Sequence, residues 1–182
     1  MIPKRLVLTA AAVTLLAGAA SAQTPVFDAF RTVCVTPAVD FAAVRAAADA
    51  HGWGATDTTA DASMPGVVIA DQMTRSTSVD KTGLVLSAWH GAKGPVKISD
   101  CTVHVAKADF PALSGDVAHW LSFPAADTSA KRVSYRFTTD GDHLKPLTPA
   151  DFDAAAGAAG LQILTVSGDQ NGAVLDLMMI KK

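Results

Sequence analysis

The sequence predicts one α+β domain: a largely antiparallel sheet of about six or seven strands with three or four helices and one disulfide. Hydrophobic residues make up 49% of the 182-residue chain and charged residues 18%, a balance typical of a domain that buries a core. Strand-like segments also follow one another through turns instead of alternating one by one with helices, which disfavours a parallel sheet.

The first 22 residues have the pattern of a secretory signal peptide. A basic start at Lys4 and Arg5 precedes an apolar run of roughly a dozen residues, too short for the ~20 that span a bilayer. The small residues Ala20 and Ala22 then match a cleavage site. We expect residues 23–182 to form the exported domain, periplasmic or secreted, with no membrane span after cleavage; the alternative is an uncleaved anchor.

The chain has two cysteines, Cys34 and Cys101. Export would deliver them to a compartment in which disulfides persist, and their wide spacing is unlike a redox or metal-binding Cys-x-x-Cys motif. We expect them to form a disulfide, with two free thiols as the alternative.

Two helices are expected before residue 53. Phe27, Phe30 and Cys34 follow one another at three- and four-residue intervals, which places them on one helical face. Thr36, as N-cap, and the proline after it predict the start of a second helix, which ends at Gly52. A loop without periodicity is expected over 54–66.

A meander of strands is expected over 67–107, because alternating and β-branched residues are interrupted by turn signals at 80–83 and 91–94. In the last of these strands, Cys101 shares a face with two valines and is expected to point inward. The remaining elements follow from caps, prolines and turn dipeptides. They are a helix from Asp109, a strand over 131–138, a short strand over 144–147, a helix from Thr148 to Gly160, and strands over 161–167 and 173–180.

Taken together, several of these features resemble a group of small exported bacterial proteins of uncharacterised function. The resemblance consists of Phe-x-x-Phe-x-x-x-Cys over Phe27–Cys34, an alanine-rich helix ending at Gly52-Trp53, and a second cysteine, Cys101, on a strand. It implies a shared disulfide-linked fold and a location in the cell envelope, and it carries no catalytic residues.

Composition and motifs exclude some functions. The formal charge of −2 lacks the cationic surplus that nucleic-acid binding requires. The sequence contains no Gly-x-Ser-x-Gly nucleophile motif and no phosphate-binding glycine loop, so we assign no catalytic residue and no cofactor.

One candidate binding site lies at a predicted hairpin tip, where Trp89 and His90 are followed by Lys93 and Lys97. An aromatic ring beside cations can form the edge of a binding site. The alternative is that Trp89 is a core residue and that the lysines are ordinary solvated charges.

Asp140, Asp142 and His143 form the best metal-binding candidate, because two carboxylates and an imidazole crowd one turn. The stronger interpretation is a plain Asp-Gly turn, since the segment lacks the ligand spacing of a calcium loop.

These observations favour a non-catalytic binding or accessory protein of the periplasm or the exterior. Its partner would be an unknown protein or small molecule of the cell envelope. Two alternatives stay open: a periplasmic hydrolase whose catalytic groups are dispersed in the sequence, and a structural component of the envelope.

Overall fold

The computed structural model describes residues 24–56, 64–140, 143–158, 160–168 and 171–182; the predicted signal peptide lies outside them. The described α-helices are α1 (Pro25–Phe30), α2 (Phe41–Ala50), α3 (Phe110–Leu121) and α4 (Phe152–Ala158). The strands are β1 (Gly54–Ala55), β2 (Val68–Val79), β3 (Thr82–Lys93), β4 (Val96–Ala106), β5 (Asp127–Ser129), β6 (Arg132–Asp140), β7 (His143–Pro146), β8 (Leu161–Gly168) and β9 (Gly172–Lys181).

All nine described strands belong to one antiparallel sheet with the order β1-β2-β3-β4-β9-β8-β6-β5, and β7 also pairs with β6. This confirms the α+β class and the antiparallel sheet, with more strands than predicted. The additional strands, β1 and β5, are two and three residues long, whereas β7 corresponds to the short strand predicted over 144–147. Segments this short carry almost no period-two signal, so the sequence could not distinguish them from turns.

The sheet consists of two halves with similar chain paths. In the first half, α2 leads into the meander β2-β3-β4; in the second, α3 leads into β6, β8 and β9, with β7 and α4 inserted after β6. The halves join where β4 pairs with β9, from Lys97 opposite Lys181 to Ala106 opposite Gly172. The centre of the sheet is therefore formed by segments that are far apart in the chain.

Local capping explains where the first helices begin. The hydroxyl of Thr24 accepts a hydrogen bond from the Phe27 amide, and a proline follows at the first helical position. The helix then continues as a π-helical turn over Arg31–Val35. The predicted start of the second helix at Thr36 is wrong: α2 begins at Phe41, because the side chain of Asp40 caps the Ala43 amide.

The disulfide between Cys34 and Cys101 is confirmed, with an S–S distance of 2.04 Å and Cα atoms 5.6 Å apart. It connects the end of the first helical segment to the middle of β4. Both cysteines are fully buried in the main hydrophobic core. Closing a loop of this length stabilises a fold by about 4 kcal/mol in the chain-entropy account.

The main core lies on one face of the sheet, which we call the helix face. Side chains alternate along each strand, so inward residues of β3, β4, β8 and β9 pack under α1, α2 and α3. These inward residues are Leu84, Leu86, Cys101, Val103, Leu164, Val166, Leu175 and Leu177.

The other face, which we call the open face, carries α4 near one end. Arg136 alternates with the core residues Tyr135 and Phe137, so it points to the open face, where its guanidinium lies 4.9 Å from the centre of the Phe152 ring. α4 also contacts β8 and β9. No helix in the described part of the chain combines the length and apolar character that crossing a membrane requires.

Candidate functional site

A groove runs between α2 and the strands β2, β3 and β4; we call it the α2 groove. It consists of two adjoining cavities of about 380 and 320 Å³. Phe41, Arg45 and Asp71 line both cavities, so the two form one continuous site.

The sheet wall of the groove is a row of three polar side chains from neighbouring strands. In the sheet register Asp71 on β2 is opposite His90 on β3, and His90 is opposite Ser99 on β4. The Asp71 Oδ2 and His90 Nε2 atoms are 3.4 Å apart. Side chains directly opposite each other on a sheet have Cβ atoms about 5 Å apart, so Ser99 also adjoins the imidazole.

The helix wall is built from the first turn of α2. The Phe41 ring stacks on the His90 ring with centres 5.0 Å apart. One turn later, the Arg45 guanidinium lies 5.9 Å from the centre of the same phenyl ring. The Asp40 cap fixes where the helix begins and therefore which side chains face the groove.

The open face presents a contrasting polar site. A row of short polar side chains crosses six strands there, as the register shows. From β2 to β6 the row consists of Thr74, Ser87, Thr102, Asp176, Thr165 and Ser134. The hydroxyls of Ser134 and Thr165 are buried and 2.7 Å apart, so they form a hydrogen bond with each other that needs no water.

Asp100 and Asp176 form an acid pair on this face, across the join of β4 and β9. The Thr102 hydroxyl donates to Asp100 Oδ1 at 2.9 Å and lies 3.4 Å from Asp176 Oδ1. Burial, and to a lesser extent the charge of Asp176, raises the pKa of the Asp100 carboxyl to about 8. Burial also raises the pKa of Asp176. At neutral pH Asp100 is therefore protonated and shares its proton with Asp176.

Trp89 helps to enclose the acid pair. Its side chain is only 7% exposed and hydrogen-bonds to Asp100, which is 6% exposed. The indole N–H is the donor, because it cannot accept. A separate cavity of about 360 Å³ lies further along the strands, where Val85, His104 and Val174 line its open-face side.

The residues of the predicted hairpin site do not share one surface. β3 continues to Lys93 and turns at Gly94, so Trp89 and His90 are strand residues on opposite faces. Trp89 lies beside the acid pair, whereas His90 lines the α2 groove. Lys97 alternates onto the face of His90, and the Lys93 ammonium donates to the Pro65 carbonyl at 3.4 Å.

Of the predicted metal ligands, Asp140 and His143 are opposite each other on β6 and β7, and Asp142 lies outside the described residues. Within the described ranges, no group of three or more His, Cys, Asp or Glu side chains is placed to hold a metal ion.

Sequence reasoning missed most of the α2 groove. Of the residues that line it, the sequence patterns single out only His90, and not Phe41, Arg45, Asp71 or Ser99. A signal for the sheet wall existed, because Asp80 and Lys81 both have positive φ and form a two-residue hairpin turn. Counting outward from that turn pairs residue 71 with residue 90.

Comparison of the chain with protein-family models, with curated proteins and with solved structures found no match in any of the three.

Proposed function

We propose that this chain is a non-catalytic binding protein that acts outside the cytoplasm, in the periplasm or secreted, and takes a small polar molecule in the α2 groove. The observation that carries the proposal is the convergence of Arg45, His90 and the Phe41 ring on one groove of suitable size. Concave sites with an aromatic surface and a few convergent polar groups are the usual form of small-molecule sites. The Cys34–Cys101 disulfide supports the extracytoplasmic location.

The experiment is NMR mapping of backbone amide shifts while the protein is titrated with a library of small metabolites. We expect a ligand to shift amides along the first turn of α2 and in β2 and β3 near Asp71 and His90. Arg45→Gln should weaken that ligand, whereas Arg132→Gln, an exposed arginine on β6, should not. Shifts confined to the open face, or no ligand at all, would contradict the proposal.

A hydrolase is the second candidate, because Asp71, His90 and Ser99 form a row of acid, base and hydroxyl. Asp71 contacts Nε2, which leaves Nδ1 as the nitrogen that could serve Ser99. The described side-chain hydrogen bonds include none between Ser99 and His90, and for this reason we place binding first. Loss of esterase activity in Ser99→Ala with an unchanged fold would reverse that order.

A further inference from the structure

The α2 groove carries opposite charges on its two walls. Arg45 extends from the helix wall and Asp71 from the sheet wall, and each lines both cavities. No carboxylate within the described ranges lies within 4.0 Å of the Arg45 guanidinium, and the Asp71 carboxylate reaches only the His90 ring, at 3.4 Å. The two charges therefore face the same groove without neutralising each other.

The neighbouring charged groups are already engaged. Arg75 pairs with Asp49 at 3.5 Å and also donates to the Thr74 carbonyl. The carboxylate of Asp40 accepts the Ala43 amide as the helix cap at 2.9 Å. Arg45 has no carboxylate partner among the described residues, and Asp71 contacts His90 through Oδ2 alone, so both retain hydrogen-bonding capacity for a guest.

The groove also has an apolar surface between the charges. The Phe41 ring lines both cavities, so it gives the groove an apolar surface next to the Arg45 guanidinium. When an arginine stacks on an aromatic ring, the N–H groups at the edge of its guanidinium point away from the ring. These N–H groups can donate two parallel hydrogen bonds to a carboxylate.

From this arrangement we infer that the α2 groove binds a small zwitterion, whose carboxylate pairs with Arg45 and whose ammonium pairs with Asp71. The inference rests on the proposed binding function and specifies its ligand class. A guest with one charge leaves either the guanidinium or the carboxylate without a partner, whereas a zwitterion satisfies both and adds no net charge.

The test is isothermal titration calorimetry of the disulfide-bonded protein with glycine, β-alanine and γ-aminobutyrate, whose carboxylate and ammonium groups are progressively further apart. For the one that binds best, its N-acetyl and amide derivatives should bind about tenfold more weakly or worse, because each lacks one charge-assisted contact. Arg45→Gln and Asp71→Asn should each cause a similar loss. Arg132→Gln serves as the matched control and should bind as the wild type does.

The outcomes separate this inference from the proposed function. If the N-acetyl or the amide form binds as tightly as the zwitterion, the ligand class is wrong while a binding groove remains. If none of the three amino acids binds but the metabolite library yields a groove ligand, the zwitterion inference alone is overturned. If neither experiment finds a ligand in the groove, both are overturned. Arg45 and Asp71 are exposed, so unchanged melting temperatures are expected to show that their variants fold.

Discussion

The two faces of the sheet use the same strands for different purposes. On the helix face, Leu86, Val103 and Leu175 are completely buried under helices, and the disulfide crosses from helix to sheet. On the open face, a row of short polar side chains crosses the same strands, and the buried Asp100 and Asp176 have raised pKa values. The main hydrophobic core therefore lies on the helix face, whereas the carboxyls with raised pKa values lie on the open face.

The largest expected effect is on the helix face. Replacing both cysteines in Cys34→Ser/Cys101→Ser should lower the free energy of unfolding by about 4 kcal/mol, because the unfolded chain regains the freedom of a long loop. Urea denaturation of both proteins, with and without reductant, measures the loss. Reductant should destabilise the wild type and leave the double variant unchanged. A decrease of less than about 1 kcal/mol in the free energy of unfolding would contradict a major role of the disulfide in stability.

The second-largest effect on stability is expected on the open face, at Trp89. Trp89→Ala should cost about 3 kcal/mol, because a 7% exposed indole and its hydrogen bond to Asp100 are lost together. Val68→Ala is the control, since Val68 is 76% exposed and its truncation should change stability by less than about 0.5 kcal/mol. Unchanged stability of Trp89→Ala would instead assign Trp89 to a surface binding site.

The third effect is confined to the acid pair and depends on pH. The pKa of Asp100 is raised to about 8 in the folded protein, so the folded state keeps a proton that the unfolded chain loses near pH 4. Its contribution to stability is complete below pH 4 and is lost as pH rises to about 8.

Asp100→Asn should remove that dependence, because the amide stays neutral and can still accept from Thr102. Between pH 5 and pH 7 the wild type should lose roughly 2 kcal/mol more than the variant, a smaller change than the two substitutions above cause. Thermal melts across this pH range measure the difference. Parallel pH profiles for the two proteins would show that the pair does not share a proton.

Features marked by local sequence patterns could be predicted from the sequence, and so could a disulfide between the chain's two cysteines. Cys34 and Cys101 were paired from export and spacing, and the meander that holds Cys101 was evident from alternation and turns. The α2 groove could not be predicted in the same way, since it depends on register across three strands. The sequence predicts the second turn over 91–94, but the chain turns at Gly94. The predicted turn gives His90 the wrong partner on β4, so Ser99 is not identified as its neighbour.

The pairing of β4 with β9 has a consequence for how the protein forms. β9 follows the other described strands in chain order yet lies in the middle of the sheet, so the two halves cannot join until β9 has been synthesised. Until then, β4 and β8 each expose an edge that could pair with another molecule. The risk of aggregation is therefore expected to be highest just before β9 pairs with β4 and β8, and a chaperone would be most effective at that stage.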